Sequence, residues 1–241
     1  MNMNRYATSS QLKDKAKELL TGHYGLLIGI ILITGLISIT INSVLDVFVP
    51  VSASTIGYIL SVAVTFLVSV FMGVFNVGTA LVYLKFASGN AASLGDIFYG
   101  FSHHIENALT VSMVMNVLSI LLTLSYSIPY RMYLMTGDSR YLFIMLPCLA
   151  AAAVFYVPLS LCLSQCYYLM LDFPDKPAAE ILKASFRIMK GHKGRLFYME
   201  LSFLPLLFLG AVSLIGILWV IPYMQMTFAA FYFDIMKQEQ R

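Results

Sequence analysis

The chain has 241 residues, of which 59% are hydrophobic and only 11% charged, with a mean hydropathy of +0.81. Soluble domains carry about a quarter charged residues, so this composition excludes an ordinary soluble domain and leaves no length for one beside several bilayer crossings of about 20 residues each. The net charge of +3 contains no dense basic run of the kind that binds nucleic acid. The three cysteines, Cys148, Cys162 and Cys166, fall in one apolar segment, where thiols serve as small packing residues rather than as a disulfide framework.

Met1 to Ser10 is polar and is expected to fray. Gln11 to Leu20 then predicts a short amphipathic helix, with Leu12, Ala16, Leu19 and Leu20 on one face and Lys13, Asp14, Lys17 and Glu18 on the other. The elbow Gly22-His23-Tyr24-Gly25 leads into a first span over Tyr24–Leu45, closed by Asp46 and Pro50. Val51-Ser52-Ala53 resembles a cleavage site, but the apolar region before it is too long for a signal peptide. A second span over Ile56–Leu84 is expected to tilt or bend near Gly73 and Gly78.

Ser93 to Asp96 reads as a capping box that opens a helix with Leu94, Ile97, Phe98, Phe101 and Ile105 on its apolar face. A third span is expected over Asn107–Ile128, with Pro129 to Arg140 as the connection. A fourth covers Tyr141–Met170 with kinks at Pro147 and Pro158. Pro177 to Gly191 is a second amphipathic helix: Ala178, Ile181, Leu182, Ser185, Ile188 and Met189 oppose Glu180, Lys183, Arg187 and Lys190, the pattern of a helix lying in a membrane interface. Span five, Leu196–Leu214, contains Pro205. A reversal near Gly216 leads to span six, Ile217–Met236, although one span plus a surface helix would also account for these last apolar residues.

The predicted fold is therefore an all-α polytopic membrane protein: one membrane domain, residues 1–241, with six transmembrane helices and three amphipathic interfacial helices. A threefold internal repeat over 11–84, 93–170 and 177–236 is suggested by the matching elbows, which hold all four histidines. It is suggested also by Pro158 with Tyr168 and Pro222 with Tyr232, ten residues apart in both cases. Thirteen of the fifteen lysines and arginines fall on the side of the amphipathic helices, and only Arg131 and Arg140 fall opposite. The positive-inside rule then predicts a multi-pass cell-membrane protein with both termini cytoplasmic.

The elbow and the last span carry a resemblance to a known family. Lys13, Ala16, Leu20 and Gly22 contribute to it, as do Ala184-Ser185-Phe186, Met189-Lys190-Gly191, Lys193, Leu196-Phe197 and Leu201-Ser202-Phe203. So do Leu218-Trp219, Pro222-Tyr223, Thr227, Ala229, Phe231 and Tyr232. On these residues the chain resembles the family catalogued as domain of unknown function 975, a group of bacterial polytopic membrane proteins. The resemblance implies a fold and a compartment, the bacterial inner membrane, and no reaction.

Two readings of function follow. In the first, the protein is not an enzyme and binds anionic lipid, or scaffolds a membrane or cytoplasmic protein partner, through Lys13, Lys17, Lys183, Arg187, Lys190, Lys193 and Arg195. In the second it is a small transporter whose polar path uses Asn76, Asn116, Gln165, Glu200 and Gln225. No cofactor is expected. Convergence of His23, His103 or His104, and His192 on a metal is weighed against histidines that each contact a backbone group or a headgroup, and the latter is preferred. No serine elbow or phosphate loop is present, and Ser102 beside His103 on one helix would point away from it.

Overall fold

A computed structural model describes residues 6–48, 55–103, 105–213 and 215–239, and among these the chain is wholly helical. Its helices are α1 (Ser9–Leu20), α2 (Tyr24–Phe48), α3 (Thr55–Ala87), α4 (Tyr99–Ser102), α5 (Ile105–Thr136), α6 (Arg140–Leu163), α7 (Cys166–Asp172), α8 (Ala178–Ile188), α9 (Lys193–Leu201), α10 (Leu204–Val212) and α11 (Ile217–Glu239). A 3-10 turn, Leu94–Phe98, precedes α4. Five segments are long and apolar enough to cross a membrane: Tyr24–Leu45, Thr55–Ala87, Ile105–Thr136, Arg140–Asp172 and Lys193–Val212. Their outward faces carry unpaired apolar side chains such as Leu36, Leu67, Leu121, Phe155 and Phe208, a surface that water would penalise and lipid would not.

α11 has the length of a crossing, and Gln225, Asp234 and Lys237 make it more polar than the five. It starts where α10 ends, packs back along it, and brings Asp234 to Ala7 beside α1 and α9.

Several boundaries differ from the sequence reading. Pro129 lies inside α5, which runs on to Thr136 and leaves only Gly137 to Ser139 as the connection. Gly73 and Gly78 do not interrupt α3; they are places where another backbone comes close. A β-carbon on Gly78 would overlap the backbone carbonyl of Ile97, and one on Gly73 would overlap the Ser112 side chain. The fourth apolar stretch breaks at Ser164 and Gln165, while Pro147 and Pro158 lie within α6. The Cys162 carbonyl near this break accepts a 2.6 Å hydrogen bond from the buried Ser185 hydroxyl of α8.

The fifth stretch breaks at Ser202 and Phe203, just before Pro205, whose missing N–H leaves the Leu201 carbonyl without its helical donor. Lys13 closes over this break, with Nζ 3.4 Å from the Ser202 carbonyl and 4.3 Å from the centre of the Phe203 ring.

The elbows before α2 and α9 are built alike. Gly22 and Gly191 sit at φ +85° and +88°, a conformation that side chains resist. His23 N–H donates to the Leu20 carbonyl as His192 N–H donates to that of Met189. Leu12, Ala16 and Leu20 on α1 and Ile181, Ser185 and Met189 on α8 are buried at the same spacing, as are Leu27 and Ile30 beside Leu196 and Met199. The central elbow differs. The Ser93 and Asp96 capping box is formed, yet it opens a 3-10 turn followed by one turn of α-helix, with Ile97 buried and Leu94 and Phe98 exposed.

The α8 face that reads as lipid-facing in sequence is instead covered by protein. Ala178, Ile181, Ser185, Ile188 and Met189 pack among α5, α6 and α7, and α1 packs in the same way on α11. A helical wheel reports that a face needs cover, and not what covers it. The expected fraying of Met1 to Ser10 is also corrected from Tyr6 onward. Thr8 caps α1 through the Gln11 N–H, and the Ala7 N–H meets the Asp234 carboxylate at 3.2 and 3.3 Å. Met1 to Arg5, His104 and the Val51-Ser52-Ala53 stretch lie outside the described residues.

One contact anchoring the central elbow has a pH consequence. Lys85 Nζ lies 2.8 Å from the Asp96 carboxylate, which also accepts from the Ser93 N–H at 2.9 Å. Partial burial pushes the Asp96 carboxyl up, but the Lys85 and Ser93 hydrogen bonds and the Lys85 charge outweigh it, so the group stays below its usual range. A carboxyl lowered by folding stabilises the fold above its unfolded value, about 3.9, and that contribution disappears as pH falls through the folded value. Asp96→Asn is therefore expected to lower thermal stability at pH 7, with the gap to the parent protein narrowing as pH falls below the unfolded value of about 3.9; a gap that does not narrow on acidification would remove the ion pair from the account.

Candidate functional site

The polar residues of α3 fall on one face. Tyr58, Ser61, Thr65, Ser69, Asn76, Thr79 and Tyr83 recur every three or four residues, apart from the step that holds Met72 and Gly73, so they form a stripe down a single side of the helix. Antiparallel to it, α5 presents Ser112, Asn116, Ser119, Thr123 and Ser127. The Tyr58 and Ser127 hydroxyls meet at 2.9 Å at one end, and Gly73 against Ser112 draws the helices together at the other. From Tyr58 to Tyr83 the stripe covers about 37 Å at 1.5 Å per residue, more than the roughly 30 Å of a hydrocarbon core.

Three cavities follow this groove and share their walls. The first, about 260 Å³, lies between Tyr58 and Asn116 and includes Ser61, Thr65, Ser119 and Thr123. The second, about 360 Å³, shares Ser69, Asn116 and Ser119 with it and adds Asn76, Thr79 and Tyr167. The third, about 310 Å³, shares those last three and reaches Gln165, Glu200 and Gln225. Among the described residues no lysine or arginine lines any of them. Arg131 stands at the first mouth, 4.7 Å from the centre of the Tyr58 ring.

The third cavity lies between α3, α7, α9 and α11. Toward the elbows it ends at the buried Tyr83 of α3 and Tyr168 of α7, and the buried Tyr232 of α11 packs behind Tyr168. Tyr168 and Tyr232 stack at 5.2 Å, and the Tyr232 hydroxyl donates to the Asp172 carboxylate at 2.5 Å. Beyond them a wider cavity of about 760 Å³ opens among Gln11, Lys15, Asp172, Asp234 and Lys237.

Four of the five path residues predicted from sequence, Asn76, Gln165, Glu200 and Gln225, therefore line one cavity, and Asn116 lines the next along. Glu200 is half-buried about 10 Å into α9, and it has no ion-pair partner among the described residues. Gln165 is 1% exposed; its Nε2 donates to Ser164 at 2.8 Å and its Oε1 has no partner among the described residues. A buried, unpaired acceptor of this kind costs roughly 1–3 kcal/mol unless something donates to it. The hydroxyl stripes of α3 and α5 were not singled out in sequence. Their signal was there, as Asn116, Ser119, Thr123 and Ser127 at helical spacing within a span.

The basic residues divide. Arg195 is largely spoken for: it pairs with Asp234 at 2.6 Å, donates to the Ala7 carbonyl at 2.8 Å, and lies against the Tyr6 and Phe231 rings. Lys13 closes the α9–α10 break, and partial burial, with Lys17 nearby, lowers its pKa. Lys17 is exposed and pairs with Asp14 at 3.5 Å. Lys183, Arg187 and Lys190 are exposed on the outer side of α8, and Lys193 is half-exposed at the elbow.

The described elbow histidines are held apart by their own partners. His23 stacks on Phe86, and His192 meets Tyr6 edge-on with Arg195 at 3.3 Å. His103 stacks on Tyr99, and because it lies past the end of α4 in extended backbone its ring meets the Ser102 hydroxyl at 2.9 Å, which corrects the expectation that the two point apart on one helix. Among the described residues no three histidine, cysteine or acidic side chains gather as a metal-binding group.

No match was found among curated proteins or among solved structures. The family described as protein of unknown function (DUF975) matches residues 1–239, and the chain belongs to that family.

Proposed function

We propose that this protein moves a small polar solute across a membrane along the groove between α3 and α5 and through the cavity at Gln165 and Glu200. The observation that carries this reading is the continuity of the three cavities: each shares three polar residues with the next, over a length that matches a bilayer's hydrocarbon core. Lone polar residues inside spans are usually interhelical hydrogen bonds, but a stripe facing connected empty space has a different use. In this reading α11 is a sixth crossing. In this reading both termini and the three elbows lie on the cytoplasmic side, which the distribution of lysine and arginine supports. The two matching elbows, at His23 and His192, support a repeat of the outer units, and a threefold plan would have its even-numbered crossings meet at the three tyrosines. Tyr83, Tyr168 and Tyr232 then form the cytoplasmic closure, and the function is non-enzymatic.

The test is flux from proteoliposomes loaded with a panel of small cations, neutral polyols and anions. Ser119→Trp places an indole where the first two cavities join and is expected to cut flux of the conducted solute at least tenfold. Leu121→Trp, on the exposed lipid-facing side of the same helix, should leave flux unchanged. Flux indifferent to Ser119→Trp, or no flux for any member of the panel, rejects the path.

A second reading rests on α8. Its buried face is held by protein, so Lys183, Arg187 and Lys190 are presented outward as a fixed basic ridge suited to anionic headgroups, each worth on the order of 1 kcal/mol. Reversing these three charges is expected to remove co-purifying anionic lipid, measured by mass spectrometry of the purified protein, while leaving flux intact. Retention of that lipid would end the lipid-docking role.

A further inference from the structure

Part of the groove's hydrogen-bond donor capacity is already in use. Thr79, Ser119 and Thr123 donate their hydroxyl protons to carbonyls one turn back in their own helices, at 2.9, 3.1 and 3.0 Å. Asn116 Nδ2 donates one of its protons to the Ser112 carbonyl at 2.8 Å, and Gln165 Nε2 donates one of its own to Ser164. A hydroxyl or amide whose donor is committed to its own backbone turns lone pairs toward whatever stands opposite. The oxygens left facing the cavities are therefore acceptors, ending at the unpaired Oε1 of Gln165 and the carboxylate of Glu200. Among the described residues no lysine or arginine lines these cavities and the Glu200 carboxylate is their one formally charged group, so an anion would meet net repulsion there.

We infer that the cavity at Gln165 and Glu200 binds a small cation, a primary ammonium or a monovalent metal ion, by charge at Glu200 and by donation or coordination to Gln165 Oε1, Thr79 and Gln225. This deepens the transport reading by naming its solute class, and the binding itself can be measured without flux. The 310 Å³ of the cavity suits a solute of a few heavy atoms with part of its water shell. Tyr83 and Tyr168 at its floor add aromatic rings, which favour a cation over an anion. Arg131 at the far mouth, stacked on Tyr58, sets the opposite condition there and would slow entry from that side.

The experiment is isothermal titration of the purified full chain with methylammonium, potassium and guanidinium chlorides. Tetraethylammonium acetate, whose cation is too bulky for the site, and acetamide serve as anionic and neutral controls, with ionic strength matched by tetraethylammonium chloride. Saturable binding of at least one of the three cations is expected, weakened at least tenfold in Glu200→Gln and restored in Glu200→Asp. Gln165→Glu, which adds a second carboxylate, is expected to tighten it and covers the case in which Glu200→Gln fails to fold. Binding of acetate or acetamide in preference, cation binding indifferent to both positions, or no saturable binding of any of the three cations overturns the inference. Flux of an anion sensitive to Ser119→Trp would keep the transport reading and sink this one. Saturable cation binding without flux would do the reverse.

Discussion

Replacing Gly78 with alanine is expected to cost the protein about 3 kcal/mol or more, or to prevent its purification as a folded species. The added methyl would overlap the main-chain carbonyl of Ile97, and that carbonyl belongs to a 3-10 turn held from both sides. Ile97 is fully buried, and Asp96 beside it is tied to Lys85 and Ser93. Overpacking typically costs about 1–3 kcal/mol when a side chain can yield, and more when a backbone must move. The control is Gly35→Ala, where nothing lies within 4 Å and the change should be neutral or stabilising by up to about 1 kcal/mol on helix propensity. Thermal unfolding in detergent compares the two. Equal behaviour would mean that the α3 contact with the 3-10 turn is not as close as described.

The second large effect is expected at Arg195 and Asp234. The Asp234 carboxylate receives both Arg195 and the Ala7 N–H, while Arg195 also holds the Ala7 carbonyl, so one residue is gripped at both its N–H and its C=O. Asp234→Ala leaves a guanidinium, 27% exposed, without its carboxylate, and removing one partner of a buried pair costs about 3–5 kcal/mol. Because this pair keeps some contact with solvent, about 2–3 kcal/mol is the expected loss. The melting temperature should drop by several degrees, and a protease should cut sooner near Ala7. Asp234→Ala together with Arg195→Met should recover part of the loss, since no unpaired charge then remains. If the double variant is worse than the sum of the two single variants, the ion pair is not what the clasp depends on.

Apolar length and the spacing of charges made the membrane class and most helices readable in advance, because a bilayer imposes both on the chain directly. Helix ends were harder. Pro129 looks like a stop and is not one, while the α6–α7 break at Ser164 and Gln165 lies in apolar sequence, and its exposed carbonyl is answered by Ser185, about twenty residues further on. Such a bond depends on tertiary packing, which local pattern does not contain. The same holds for Arg195: in sequence it is one more cation in a basic run, and only folding brings Asp234 to it. Among the candidate path residues, Glu200 and Gln165 stood out as polar groups in apolar surroundings. The serines and threonines of α3 and α5 did not, because hydroxyls that bond their own helix are common in spans and lower hydropathy only a little.

The grip on Ala7 joins two places that are 227 residues apart along the chain. While the chain is being synthesised, α1 can meet α3 and α9 first, but most of its cover comes from α11, the last helix to be made. A chain stopped before Asp234 is therefore expected to leave the apolar face of α1 open to proteases, and a finished one to hide it.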